Sequence, residues 1–147
     1  MVLAAVPPAL AEDREVPYWA SIRPKAAQVN MRVGPSRGYR ISWLYRRPLM
    51  PLKVLRLQEA WRLVEDPDGQ RGWMLQQFLS PERAGMVSGS GLTEVREAPA
   101  SGRLLWRVEP GVVGKLGACE DGWCKFDMGG GHVGYIEQAR LWGAGAP

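Results

Sequence analysis

The only two thiols in the 147-residue sequence, Cys119 and Cys124, flank Glu120-Asp121-Gly122-Trp123. Asp-Gly favours a tight turn, and Val112-Val113-Gly114-Lys115-Leu116 and Lys125-Phe126-Asp127 read as strands on either side. A four-residue connection, Glu120 to Trp123, that closes such a hairpin puts its flanking residues opposite one another, with Cβ atoms about 4.5–5.5 Å apart, close to disulfide reach. The spacing is not that of a C-x-x-C redox motif, and no second Cys or His pair completes a zinc site. A structural Cys119–Cys124 disulfide is therefore predicted, which requires an oxidising compartment. Two reduced thiols in a cytosolic hairpin are the alternative. His132 is the only imidazole and sits beside Gly129-Gly130-Gly131, a turn without the helix and lysine of a phosphate loop. No Ser-His-Asp set or paired-carboxylate motif can be read. The expectation is a non-enzymatic chain with no metal and no cofactor.

Recognition chemistry rests on arginine and the aromatics. Fifteen of the 19 cations are arginine, and 15 acids leave a net charge of +4. Arginine suits carboxylate or phosphate geometrically, but the cations look scattered and form no five-residue basic block, so nucleic acid is not an expected partner. There are seven Trp, a residue that can line a peptide groove or fill a core. Eighteen Gly and 12 Pro against two Phe indicate many turns, hence short strands rather than long helices. No apolar run reaches the ~18 residues of a membrane span.

The elements that must position these residues come in duplicate. Asn30-Met31-Arg32-Val33-Gly34-Pro35-Ser36 matches Glu94-Val95-Arg96-Glu97-Ala98-Pro99-Ala100 at a shift of 64. Lys53-Val54 matches Lys115-Leu116, Glu59-Ala60-Trp61 matches Asp121-Gly122-Trp123, and Gly72-Trp73-Met74 matches Gly134-Tyr135-Ile136, each at a shift of 62. A repeat of about 60 residues means two copies of one folding unit. In copy one the predicted strands are 28–32, 41–45, 52–57, 61–65 and 72–75, followed by a 3₁₀ turn at 76–79. Five short strands in so few residues suit a small, bent, partly open barrel. Arg32 and Arg96 are the one charged position kept in both copies. Each either contacts a ligand carboxylate or pairs with a neighbouring acid. Trp61, Trp73 and Trp123 recur at matching positions and are assigned to packing, whereas Trp19, Trp43, Trp106 and Trp142 lack clean counterparts. Trp142 is expected to dock on the barrel it follows.

Val29-Asn30-Met31-Arg32-Val33-Gly34-Pro35-Ser36, then Glu59-Ala60-Trp61-Arg62-Leu63-Val64, then Gly69-Gln70-Arg71-Gly72-Trp73-Met74 resembles the bacterial SH3-like domain family. The second copy departs from the pattern: Glu94 replaces the Asn, Glu97-Ala98 the x-Gly, and Tyr135 the Trp. The resemblance implies an all-β fold of two tandem small SH3-like β-barrels covering residues 20–143. It also implies a non-catalytic module that recognises cell-wall peptide or glycan or an envelope protein. In such a barrel the loop after the first strand and the loop before the Trp strand flank a shallow groove, here residues 34–39 and 58–60. Tyr39, Trp43 and Tyr45, with Arg32 and Arg37 for an acidic ligand group, are the expected ligand-binding residues. Copy one is expected to hold the functional groove, and copy two to be mainly structural. The alternative is a structural or regulatory subunit of an envelope enzyme or secretion complex.

Residues 1–11 carry no charge and end in Ala9-Leu10-Ala11, the small-x-small shape of a signal-peptidase site. The expectation is a signal-peptide remnant, a mature start at Glu12 and a periplasmic or secreted protein. A disordered apolar terminus is the alternative. The expected division is then an N-terminal segment at 12–21, copy one at 22–82 and copy two at 83–147.

Overall fold

A computed structural model describes residues 15–147. The expected signal-peptide remnant and its cleavage site lie outside them. The described chain is all-β, with two seven-stranded antiparallel sheets and no α-helix. The first sheet contains β1 (Tyr18–Ile22), β2 (Val29–Arg32), β3 (Ile41–Tyr45), β4 (Pro51–Gln58), β5 (Trp61–Glu65), β6 (Arg71–Leu75) and β7 (Leu79–Ser80). The second contains β8 (Ala84–Val87), β9 (Thr93–Ala98), β10 (Ser101–Val108), β11 (Val113–Glu120), β12 (Trp123–Asp127), β13 (Val133–Glu137) and β14 (Leu141–Trp142). Their spatial orders, β3-β2-β6-β5-β4-β1-β7 and β10-β9-β13-β12-β11-β8-β14, are the same order counted seven strands apart. Each sheet bends around its own core, as two tandem SH3-like barrels require.

Alternation drives most of these strands. In β5, Arg62 and Val64 are buried between half-buried Trp61, Leu63 and Glu65. Fully buried Leu52, Val54 and Val64 each contribute about 1.5–3 kcal/mol by leaving water. The glycine before Trp73 or Tyr135 is needed because the closing strand lies hard against the first motif strand. A Cβ on Gly134 would sit 2.5 Å from a Val95 methyl and 2.9 Å from the Arg96 carbonyl oxygen.

Two features differ from the sequence reading. Tyr18–Ile22 is not part of a separate N-terminal segment, since it pairs with β4 and β7 inside the first sheet. A boundary at residue 22 would cut through that strand. The Asp-Gly hairpin is also tighter than expected: β11 and β12 pair up to Glu120 and Trp123, leaving a two-residue turn. Asp121 (φ 51°) and Gly122 (φ 79°) supply the left-handed backbone that such a turn favours.

The copies touch through their edges. The Trp19 ring of copy one meets Trp142 edge-on, centroids 5.0 Å apart, and its indole N–H donates to the Gly145 carbonyl at 2.8 Å. Arg83 donates to the Gly143 carbonyl at 2.8 Å, and burial pulls its pKa down. Trp142 thus docks on the other copy rather than on its own barrel alone.

The disulfide joins Cys119 to Cys124, which are direct register partners. Reduction is expected to leave the fold intact and to lower the stability of copy two by about 2 kcal/mol or less, because the closed loop is short. Urea unfolding with and without reductant measures this. A loss above that size would show that the bond does more than close a loop.

Candidate ligand-binding groove

Two strand ends and a 3₁₀ turn shape a groove of about 240 Å³ on copy one. Gln28, just before β2, and Asn30 and Arg32 on it, spaced two apart, form one wall with Arg37. Trp61 and Leu75, register partners on β5 and β6, form the other, closed by Phe78 from the turn at Gln76–Phe78. The groove is an apolar platform facing amide and guanidinium groups, suited to holding a ligand with an apolar face and an acceptor-rich edge.

Arg32 has a double duty. Its Nη1 donates to the carbonyls of Arg37 (3.1 Å) and Tyr39 (2.8 Å), which fixes the loop 33–40. Its Nε and Nη2 have no hydrogen-bond partner among the described residues and remain available at the groove. Arg96 makes the matching bond to the Gly102 carbonyl at 3.0 Å. Loop bracing explains why this arginine recurs in both copies. Arg37 is exposed and has no ion pair among the described residues. The side chains of Gln28 and Asn30 likewise have no hydrogen-bond partner among them.

Copy two cannot offer the same groove. Asn30 corresponds to Glu94, whose carboxylate takes both the Nε (3.1 Å) and Nη2 (2.7 Å) donors of Arg96. Leu75 corresponds to Glu137, and Phe78 to Arg140. Arg140 donates to the Ser88 (2.8 Å) and Gly91 (2.7 Å) carbonyls and so ties down the segment that leads into β9. Each substitution replaces an open or apolar feature with a charge, and two of those charges are bonded internally.

Of the expected ligand residues, Arg32 and Arg37 line the groove, whereas Tyr39, Trp43 and Tyr45 do not. Tyr39 is half exposed, and its ring lies over Gly34, where a Cβ would come within 2.5 Å of it. Trp43 is 50 % exposed on edge strand β3 and aligns with Met31, as Trp106 aligns with Val95. Those two tryptophans are therefore counterparts after all. Tyr45 was expected at the surface but is buried, because its hydroxyl donates to Asp66 Oδ2 at 2.7 Å. The other carboxylate oxygen, Oδ1, accepts the amides of Asp68 and Gln70, each at 2.9 Å. This pair secures the turn after β5. His132 is an exposed turn residue with its ring against Trp106.

Burial and the Asp66 carboxylate push the Tyr45 phenol far above its ordinary 10.0. The unfolded chain then releases this proton near pH 10 while the folded chain keeps it, so stability is full below pH 10 and falls above it. Alkaline unfolding monitored by circular dichroism should show this loss, and Tyr45→Phe should remove that part of it.

Sequence reasoning missed Gln28, Asn30, Trp61, Leu75 and Phe78 as groove residues. The period-2 spacing of Gln28, Asn30 and Arg32 was the available signal. Phe78 had none, since only the folded register sets it beside β2. Among the described residues, no group of three or more His, Cys, Asp or Glu side chains could hold a metal ion.

The family comparison supports this architecture. The family described as "Bacterial SH3 domain" matches residues 25–81 and 93–143. No curated protein matches the chain in sequence. Among solved structures the chain is similar to NlpC2 of Trichomonas vaginalis, at 13 % identity and a TM-score of 0.39, covering 88 % of this chain and 49 % of that one. It is also similar to NlpC1 of the same organism, at 13 % identity and a TM-score of 0.38, covering 88 % and 46 %. The chain thus spans about half the length of these two proteins. The two family matches fall one within each sheet, starting after β1 and after β8, and take in most of the sequence: the chain belongs to the bacterial SH3 domain family, in two tandem copies.

Proposed function

We propose that the protein is an exported, non-catalytic binding module whose first copy recognises a cell-wall peptide through the groove between β2 and the Trp61–Leu75 platform. The observation that carries this is the contrast within one chain. Copy one keeps open, unpaired Asn30 and Arg37 beside an apolar wall, whereas copy two closes the same place with Glu94–Arg96 and a bonded Arg140. A wall peptide offers what such a site needs, namely apolar side chains, backbone acceptors and carboxylates. Copy two then serves as a scaffold, held to copy one through Trp19 and Trp142. The disulfide supports an oxidising compartment, and among the described residues no helix is long and apolar enough to cross a membrane.

A second reading, a structural or regulatory subunit of an envelope enzyme or secretion complex, is favoured by a different feature. Val33, Tyr39, Ile41 and Trp43 are each 44–50 % exposed on one hairpin of copy one. Co-sedimentation with purified sacculi, run beside capture from an envelope lysate, separates the two. Enrichment on sacculi supports wall-peptide recognition. Retention only by lysate proteins would replace it with the subunit reading.

A further inference from the structure

The cations are less scattered than their spacing suggests. Residues 16–58 contain nine cations (Arg23, Lys25, Arg32, Arg37, Arg40, Arg46, Arg47, Lys53 and Arg56) and no Asp or Glu. Five of these arginines fall within the β2–β3 hairpin and its flanks, residues 29–47, for a charge of +5. The matching hairpin of copy two, residues 93–110, has three arginines and three glutamates, Glu94, Glu97 and Glu109, and so sums to zero.

The same hairpin ends in an unpaired edge. Among the described residues, β3 is the last strand of its sheet and bonds only to β2. Ile41 is 44 % and Trp43 50 % exposed along it. Arg40 precedes it and Arg46 and Arg47 follow it, all exposed and without an ion pair among the described residues. Sheet edges are usually blunted, because unpaired N–H and C=O groups template pairing with another chain. The edge of copy two is blunted: β10 has two register shifts, Arg103 is paired with Glu97 at 3.7 Å, and half-buried Trp106 packs on His132. The hairpin of copy one has a single shift, at Arg32, and no acid of its own to neutralise its arginines.

We propose that β3 is a docking edge that takes an extended acidic segment of a partner protein as an added strand. Main-chain hydrogen bonds supply the affinity, Ile41 and Trp43 pack the partner's apolar side chains, and Arg40, Arg46 and Arg47 select for carboxylates. This surface is separate from the β2–Trp61 groove, and the inference does not depend on what that groove binds.

The test uses the full chain, labelled for amide NMR, and the peptide Ac-Glu-Val-Glu-Val-Glu-Val-NH2. The expected result is shifts centred on residues 40–47, at least tenfold weaker binding when alternate peptide nitrogens are methylated, and weakening by added salt. Arg40→Glu combined with Arg46→Glu should also weaken binding at least tenfold while the remaining amide spectrum stays that of the folded protein. Lys125→Gln, which removes an exposed cation of copy two far from this hairpin, should leave it unchanged. No shifts at millimolar peptide, equal binding of the Lys-for-Glu peptide, indifference to methylation, or shifts confined to Gln28, Asn30 and Leu75 would each overturn the proposal.

Discussion

Replacing Arg62 with methionine is expected to destabilise copy one by about 3 kcal/mol, a large share of the ~5–15 kcal/mol that holds a domain folded. Arg62 is 1 % exposed and has no acidic partner among the described residues. Its Nη1 instead donates to the carbonyls of Glu59 and Trp61, both at 2.8 Å, and its Nη2 to the Gln76 side-chain oxygen. These acceptors surround the β4–β5 turn, where Glu59 takes a left-handed φ of 53°. Methionine fills similar volume but leaves those acceptors unpaired, at about 1–3 kcal/mol for each one that stays buried. Relief from burying a charge offsets part of that sum.

The second copy supplies the control. Position 62 corresponds to Cys124 and its register partner Leu57 to Cys119, so one hairpin is braced by a guanidinium and the other by a disulfide. Leu57→Cys with Arg62→Cys should therefore recover, when oxidised, part of what Arg62→Met loses. Urea unfolding of the three proteins measures both effects. An Arg62→Met loss below about 1 kcal/mol would mean that the turn does not need its brace.

Asp66→Ala is expected to have a comparable effect, about 3 kcal/mol, through a different mechanism. The substitution removes three acceptor contacts at once and leaves the buried Tyr45 hydroxyl only the Met31 sulfur at 3.8 Å, a weak acceptor. The turn amides of Asp68 and Gln70 can turn to water, so most of the loss comes from the phenol. At the equivalent positions copy two has Val108 and Met128, both packed on its apolar core. A polar pair in one copy is an apolar pair in the other. Tyr45→Val with Asp66→Met should then destabilise by less than the two single changes added together, with a coupling of at least ~1 kcal/mol. Thermal or urea unfolding of the four proteins decides it, and strict additivity would contradict the pairing argument.

The same comparison explains what could be read from the sequence. Strands β2, β4 and β5 were visible because one face is buried and the other wet, which leaves a period of two, whereas β6, buried at three successive positions, was visible only through the repeated Gly72-Trp73-Met74. β1 was missed because Trp19, Ala20, Ser21 and Ile22 are all buried, the first under Trp142 of the other copy, so no alternation survives. β8, Ala84–Val87, failed for the same reason, with three of its four residues buried. Tyr45 was misplaced because it shares a β3 face with Trp43. The bend of the sheet buries one and leaves the other at the open edge, and Asp66, the reason Tyr45 tolerates burial, lies 21 residues away. Arg32 and Arg37 were found because the loop they bracket carries the Gly34-Pro35 signal. Arg62 gave no warning, since a lone arginine in a strand ordinarily faces water.

The claim that copy one holds the binding groove is tested most directly by making its wall resemble that of copy two. Asn30→Glu recreates the Glu94–Arg96 pair and engages the free Arg32 donors, and Arg37→Ala removes the unpaired cation. Both side chains are exposed, so the double variant should fold as the wild type does. Titration of a soluble wall-derived peptide into wild type and double variant, followed by calorimetry, is the measurement. The account predicts at least tenfold weaker binding by the variant, with Trp106→Ala binding as wild type. Unchanged binding by the folded double variant, or a loss on Trp106→Ala instead, would contradict it.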